Sequence, residues 1–204
     1  MTTPKRALLL LPLALAGSVI LAACGGTGGD DDAAPATATA AVDYNDTDAQ
    51  FARMMIPHHE QAVEMSELAE KNRAGTQVRD LADKISAAQG PEIEKLKGML
   101  KTWGEKPLSD GEVADAMDGM MTPDQMADVK KATGDEFDNL YLELMVEHHE
   151  GAVEMARKEI DDGVNPEAMQ MAEDIVDAQE SEIASMKDML GASGASGGTA
   201  AGDR

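Results

Sequence analysis

All four histidines of the chain lie in two copies of one short motif. The first copy reads MIPHHEQAVEM over residues 55–65, and the second reads MVEHHEGAVEM over residues 145–155. Imidazole and thioether groups bind soft transition-metal ions such as copper, so the motif predicts a metal site. The alternative is a duplicated helical core whose histidines are hydrogen-bonded to neighbours and bind no ion.

The candidate metal ligands are the histidine pairs and the methionines at both ends of each motif. They are His58, His59, Met55, Met65, His148, His149, Met145 and Met155. Copper, as Cu(I) or Cu(II), is the expected ion, and another transition metal is the alternative. Methionine also fills irregular gaps in apolar cores. Since the chain has 15 Met but only 1 Trp, 2 Tyr and 2 Phe, core packing is the competing explanation for each methionine.

Two carboxylates and two amides accompany the histidines on other predicted helices. Glu92 and Glu182 fall inside apolar stripes, beside Gln89 and Gln179. A carboxylate in a core is costly unless it is paired or binds a cation. These residues are therefore candidates for direct metal ligation, or for a hydrogen bond to a metal-binding imidazole that fixes its tautomer.

A further group of methionines occurs between the two copies, in a polar, Asp-rich stretch. It consists of Met117, Met120, Met121 and Met126. Two interpretations remain open: a second soft-metal site, or a lid packed over the rest of the fold.

The sequence similarity between the copies extends well beyond the histidines. At an offset of 90 residues without gaps, Ala82, Ile85, Gln89 and Glu92 recur as identical residues, which indicates an internal duplication. Apolar residues at three- and four-residue steps predict two helices in each copy, and no segment alternates with the period of a strand. Predicted boundaries are about 47–103 for the first copy, 104–134 for the connection and 135–190 for the second. The fold class is therefore all-α, a ferritin-like four-helix bundle with a long Met-containing crossover.

Local signals set the expected helix ends. Thr47 and Gln50 predict a capping box for the first helix, and Gly75 predicts its stop. Asn165 before a proline predicts the start of the last helix, and Gly191 its end. Two short helices are predicted in the connection, beginning at Ser109 and Thr122.

Both histidine pairs are predicted to lie at mid-helix. In a bundle whose halves are related by a two-fold axis, mid-helix residues meet near that axis. His58 and His148 are therefore expected to approach each other in the core. Since successive residues on a helix diverge by about 100°, His59 is expected at the edge, against a neighbouring helix.

The termini predict a lipoprotein. Residues 1–23 contain a basic start and a short apolar run, typical of a secretory signal. The sequence Leu21-Ala22-Ala23-Cys24 resembles a bacterial lipobox, which implies a lipid on Cys24 and a membrane anchor; an ordinary signal with an incidental cysteine is the alternative. Residues 24–44 are expected to form a flexible tether and 191–204 a disordered tail.

Charge and cysteine content exclude several classes. The net charge of −22 makes nucleic acid an unsuitable partner. A single cysteine excludes intramolecular disulfides and cysteine-based metal sites within the domain.

The paired motifs resemble those of the CopM-like family, bacterial proteins that share a domain of unknown function. The resemblance rests on MIPHHEQAVEM, on its second copy with Phe137-Asp138, Leu142 and Met145, and on Gly119-Met120-Met121 in the connection. It implies a ferritin-like four-helix fold outside the cytoplasm over about 45–190. For the best-known member it implies copper binding and tolerance through Met and His, with the histidines and nearby methionines as candidate ligands.

Three functions are compatible with the residues. The first is an extracytoplasmic, lipid-anchored protein that sequesters or hands on copper without catalysing a reaction. The second is a ferritin-like di-metal oxidase; those sites need Glu three residues before His, where Met55 and Met145 stand here. The third is a non-metal module that binds a protein partner at the cell envelope.

Overall fold

The fold is seen in a computed structural model that describes residues 43–109, 111–112 and 119–197. Its helices are α1 (Asp46–Lys71), α2 (Thr76–Trp103), α3 (Pro123–Lys131), α4 (Asp135–Asp162) and α5 (Pro166–Gly197). Over these residues no strand occurs, and no helix is both long and apolar enough to cross a membrane. The all-α class is confirmed. The predicted signal, residues 24–42 of the predicted tether with the lipidated cysteine, and Met117 lie outside the described residues. The last tether residue, Tyr44, is described: its ring stacks on Trp103 and its hydroxyl donates to the Trp103 carbonyl over 3.1 Å.

The four long helices form two hairpins that associate through one antiparallel pair. α1 packs on α2 and α4 packs on α5, and the hairpins meet mainly where α1 contacts α4. Ser66 of α1 is hydrogen-bonded to Tyr141 of α4 over 2.9 Å between hydroxyl oxygens. His58 and His148 meet further along, which fixes the antiparallel direction. The duplicated sequence thus folds into two similar halves around the histidines.

Two apolar clusters fill the bundle, one on each side of the histidines. The α3 cluster includes Met65, Ile85, Met126, Val129, Phe137, Tyr141, Met145 and Met186. The Phe51 cluster includes Phe51, Met55, Leu96, Leu100, Ala156, Met171 and Ile175. The core is therefore divided by a polar layer at mid-bundle.

Helix starts follow the capping signals, with one shift. Asn45, not Thr47, caps α1: its side-chain oxygen accepts from the N–H of Thr47 and Asp48, and Asp48 accepts from the Asn45 N–H over 2.6 Å. The prediction of a Thr47 box was wrong because Asn caps a helix as well as Thr, and because Asp48 also accepts the N–H of Asn165. The Asn165 cap of α5 is confirmed by its bonds to the next turn.

Two predicted stops were misplaced. α1 ends at Lys71, and Gly75 instead precedes α2, donating its N–H to the carboxylate of Asp138. Asn72 ends α1 and donates its side-chain amide to the carbonyl of Val129. α5 continues through Gly191 to Gly197, since an interior glycine costs a helix only about 1 kcal/mol. Helix α5 therefore extends through residues 191–197 of the predicted tail.

The connection contains one complete helix among the described residues. Thr122 and Gln125 form the predicted capping box of α3. At the earlier predicted start, the Ser109 hydroxyl donates to Glu112 over 2.6 Å, and the chain beyond 112 leaves the described residues until 119. α3 packs its Met126 and Val129 into the α3 cluster.

Candidate metal centre

The polar layer draws two residues from each long helix. It contains His58 and His59 from α1, Gln89 and Glu92 from α2, His148 and His149 from α4, and Gln179 and Glu182 from α5. The four histidines are at most 1% exposed and the two glutamines 3% exposed. A buried set of this polarity between two apolar clusters is costly unless its members are satisfied by partners or by a ligand.

The inner histidines approach each other in the core, as the sequence predicts. The ring centroids of His58 and His148 are 3.7 Å apart, with 36° between the ring planes. Neither ring nitrogen of either histidine has a hydrogen-bond partner among the described residues. Burial lowers the pKa of His58 well below 6.5, and the neighbouring histidines lower it further. The same causes lower the pKa of His148.

Neutral inner imidazoles are chemically suited to bind a metal ion. A neutral imidazole keeps one nitrogen with a free lone pair, and no proton has to leave before that nitrogen binds an ion. Imidazole lone pairs lie in the ring plane, however, and rings whose centroids are 3.7 Å apart at a 36° tilt do not aim them at one point. Rotation of the His58 and His148 side chains is therefore required before both can bind one ion.

The outer histidines are each held by a carboxylate of the partner helix. His59 Nε2 lies 2.9 Å from Glu92 Oε2, and His149 Nε2 lies 2.7 Å from Glu182 Oε2. Because a carboxylate accepts hydrogen bonds, Nε2 is the donor, and in the neutral form of the ring Nδ1 then carries the lone pair. Nδ1 of both histidines is buried and unpartnered among the described residues. Metal-binding histidines commonly have this arrangement, with the second nitrogen bonded to a carboxylate.

Glu92 and Glu182 therefore hold the imidazoles, which was one of the two roles predicted for them. Their side chains are 23% and 22% exposed, so each reaches from the solvent-facing edge of its helix towards a buried ring. Gln89 and Gln179 are buried, and the Oε1 atom of each has no hydrogen-bond partner in the described part of the chain. Both amides leave an acceptor oxygen buried within the layer.

The candidate methionines are spread over both apolar clusters. Met55 packs in the Phe51 cluster, Met65 and Met145 in the α3 cluster, and Met155 is half-buried beside the Phe51 cluster. Met155 and Met54 also line a cavity of about 110 Å³ with Glu159. Core packing thus accounts for Met55, Met65 and Met145, which flank the polar layer from opposite sides.

The connection methionines cover the bundle. Met121 and Met126 are 6% and 7% exposed and belong to the α3 cluster, whereas Met120 is half-buried. This placement matches the lid interpretation for Met121 and Met126.

One residue that fastens this connection was missed from the sequence. The side-chain amide of Gln61 donates to the carbonyl of Met121 over 3.0 Å and accepts the Met121 N–H over 2.8 Å. The signal lies in the duplication, because the position equivalent to Gln61 is Gly151.

The donors form no compact cluster of His, Cys, Asp or Glu in the arrangement seen. Over the described residues, no three such side chains are placed to hold one ion. Carboxylates that a di-iron centre would require are engaged with His59 and His149 at the edge of the layer. The donor set that remains free consists of imidazole nitrogens and amide oxygens.

A family model decides the classification of the chain. The model for a domain of unknown function, DUF305, matches residues 48–190. The protein belongs to the DUF305 family. No functionally curated protein matches this DUF305 chain.

Solved structures of other family members share the fold. A predicted secreted DUF305 protein of Streptomyces coelicolor is 34% identical, with a TM-score of 0.68, covering 72% of this chain and 94% of its own. A DUF305 fragment from Deinococcus radiodurans is 29% identical, with a TM-score of 0.64 and coverage of 72% and 97%. CopM in its Cu(I)-bound form is 30% identical, with a TM-score of 0.59 and coverage of 70% and 94%. CopM has also been solved with Cu(II) and with silver.

Proposed function

We propose that this DUF305 protein binds copper outside the cytoplasm, anchored by a lipid on Cys24, and sequesters the ion or hands it on without catalysing a reaction. The observation that carries the proposal is the contacting pair His58 and His148, whose buried ring nitrogens have no hydrogen-bond partner among the described residues. The CopM structures with copper and silver support it, because they share this fold at about 30% identity.

The donor chemistry favours copper over harder ions. Neutral imidazoles suit Cu(I) and Cu(II), whereas iron and manganese centres in helical bundles use carboxylates. His59 and His149, oriented by Glu92 and Glu182, add two further lone pairs at the same height of the bundle. Copper would be bound as cargo by the inner pair and supported by the outer pair.

The test is a titration of residues 25–204 with Cu(I) and Cu(II) against competing chelators. Replacing both His58 and His148 with alanine should abolish high-affinity binding. The matched control replaces two exposed residues at equivalent positions of the same helices, Glu64→Ala with Glu154→Ala, and should bind as the wild type does. Full affinity in the double histidine variant would refute the assignment of the site.

The extracytoplasmic location has separate support and a separate test. The sequence of residues 1–24 predicts a lipoprotein signal, and a family member of similar fold is a predicted secreted protein. Replacing Cys24 with serine should release the protein from the membrane fraction. Retention of the variant in membranes would contradict lipid anchoring and leave the metal site untouched.

A further inference from the structure

A short segment of the connection lies across the two helices that carry the histidines. This strap, residues 119–122, precedes α3 and touches both α1 and α4. On α1 it is fixed by Gln61, one helical turn after His58. On α4 it lies against Gly151 and the carbonyl of Glu147, on either side of His148.

The contact with α4 leaves no room for a side chain. Gly119 has φ +84°, and a Cβ atom there would lie 3.0 Å from the Cα of Gly151 and 3.1 Å from the carbonyl oxygen of Glu147. The absence of a side chain at Gly151 is what allows this approach. Where the first copy has Gln61 to bond the strap, the second has a glycine to receive it.

The contact with α1 is a closed pair of hydrogen bonds. The amide of Gln61 pairs with both backbone groups of Met121, at 3.0 and 2.8 Å. The Met121 side chain is buried in the α3 cluster. A single side chain therefore satisfies the strap backbone at its crossing of α1.

An ion must pass some barrier to reach the inner histidines, because His58 is 0% and His148 1% exposed. The surrounding helices are held by continuous backbone ladders, whereas the strap is held on α1 by one amide and the packing of Met121, and on α4 by the packing of Gly119. Segments with few contacts open at lower free energy than helices do. The strap is accordingly the part of the enclosure that opens most readily.

We propose that the strap is the entrance to the His58–His148 pair and that Gln61 is its latch. The role in metal entry rests on the proposed function, but opening itself does not. The strap also offers the thioether of Met120, half-buried beside the entrance, as a soft contact for an incoming Cu(I) ion.

Opening is measured first without metal, on the chain of residues 25–204. Diethyl pyrocarbonate modifies free imidazole nitrogens, and mass spectrometry gives the rate at His58 and His148. In Gln61→Ala both rates should rise about tenfold, the equivalent of about 1.4 kcal/mol of strap stability lost with the two bonds. Gly119→Ala should raise them as well, because its new Cβ must displace the strap. Gln50→Ala, which removes an exposed glutamine from the same helix, should leave them unchanged.

Copper uptake is measured second, by stopped-flow transfer of Cu(I) from a chelator. Both strap variants should take up copper faster at unchanged equilibrium affinity. Modification rates equal to those of the wild type in both variants would refute the proposal that the strap is the entrance. An equal rise in hydrogen exchange at α2 and α5 would assign the effect to global loosening and also overturn it. If the strap variants are modified faster but the protein binds no copper, the strap still controls access to the histidines, and the proposed function is refuted.

Discussion

Glu159 of α4 is a buried acid that should make stability depend on pH. It is 0% exposed and faces the buried carboxylate of Asp48. Burial tends to raise the pKa of Asp48, but the N–H groups of Asn45, Asn165 and Val164 outweigh it and lower that pKa. Burial and Asp48 together raise the pKa of Glu159 to about 8. Glu159 is therefore the protonated member of the pair, and its proton would be donated to Asp48, since neither oxygen of the Glu159 carboxyl has another hydrogen-bond partner among the described residues.

The sign and size of the effect follow from these pKa values. Below pH 4.5 the carboxyl of Glu159 is protonated in both the folded and the unfolded chain. Between pH 4.5 and about 8 only the folded chain keeps the proton, so the free energy of unfolding falls as pH rises and is level above 8. At about 1.4 kcal/mol for each pKa unit, the loss amounts to about 5 kcal/mol.

Replacement of Glu159 with glutamine isolates this contribution. The amide donates to Asp48 at every pH and never ionises. We expect Glu159→Gln to match the wild type at about pH 4.5 and to exceed its free energy of unfolding by about 5 kcal/mol at about pH 9. Urea unfolding across this range measures the difference, and contributions from other groups cancel. The control is Glu154→Gln, at an exposed position of the same helix. A Glu159→Gln difference that is constant with pH would refute the shared proton.

Three further predictions concern the polar layer and its surroundings. Because the pKa values of His58 and His148 are depressed, the free energy of unfolding of the wild type should decrease as pH falls below 6.5. The variant His58→Gln with His148→Gln should lose less stability when unfolding is measured from pH 7 to 4. Glu92→Gln should weaken copper affinity by about 10- to 100-fold by misorienting the imidazole it holds, and an unchanged dissociation constant in a chelator competition would argue against that role. Tyr141→Phe should lower the free energy of unfolding in urea by about 1–2 kcal/mol, because the hydroxyl of Ser66 is left buried and unpaired. Adding Ser66→Ala should recover most of that loss, and additive losses from the two substitutions would contradict the coupling of the two hydroxyls.

The internal duplication made much of the site predictable. Equal mid-helix positions for His58 and His148 required only a two-fold arrangement to bring them together, and the two rings are in contact as expected. Glu92 stood out as a carboxylate in an apolar stripe, and its hydrogen bond to His59 explains its position. These predictions succeeded because helical periodicity and symmetry both constrain the same residues.

Predictions failed where several local signals competed. Asn45 and Thr47 both fit a cap, and the choice depended on the contact of Asp48 with the loop before α5, over a hundred residues away. Gln61 looks like any polar residue on a helix surface until the strap is placed against it. In such cases the partner lies far along the chain, where neither periodicity nor capping rules apply.

The division of the inner histidines between the two hairpins has a consequence for how the stability of the protein would depend on metal supply. Each hairpin contributes one inner histidine, so an ion bound by both histidines would cross-link the two hairpins. Ligand that binds only the folded chain adds stability with the logarithm of its free concentration, about 2.7 kcal/mol at a hundredfold excess over the dissociation constant. If the protein binds copper as proposed, scarcity of copper would therefore shorten the lifetime of the protein against proteolysis.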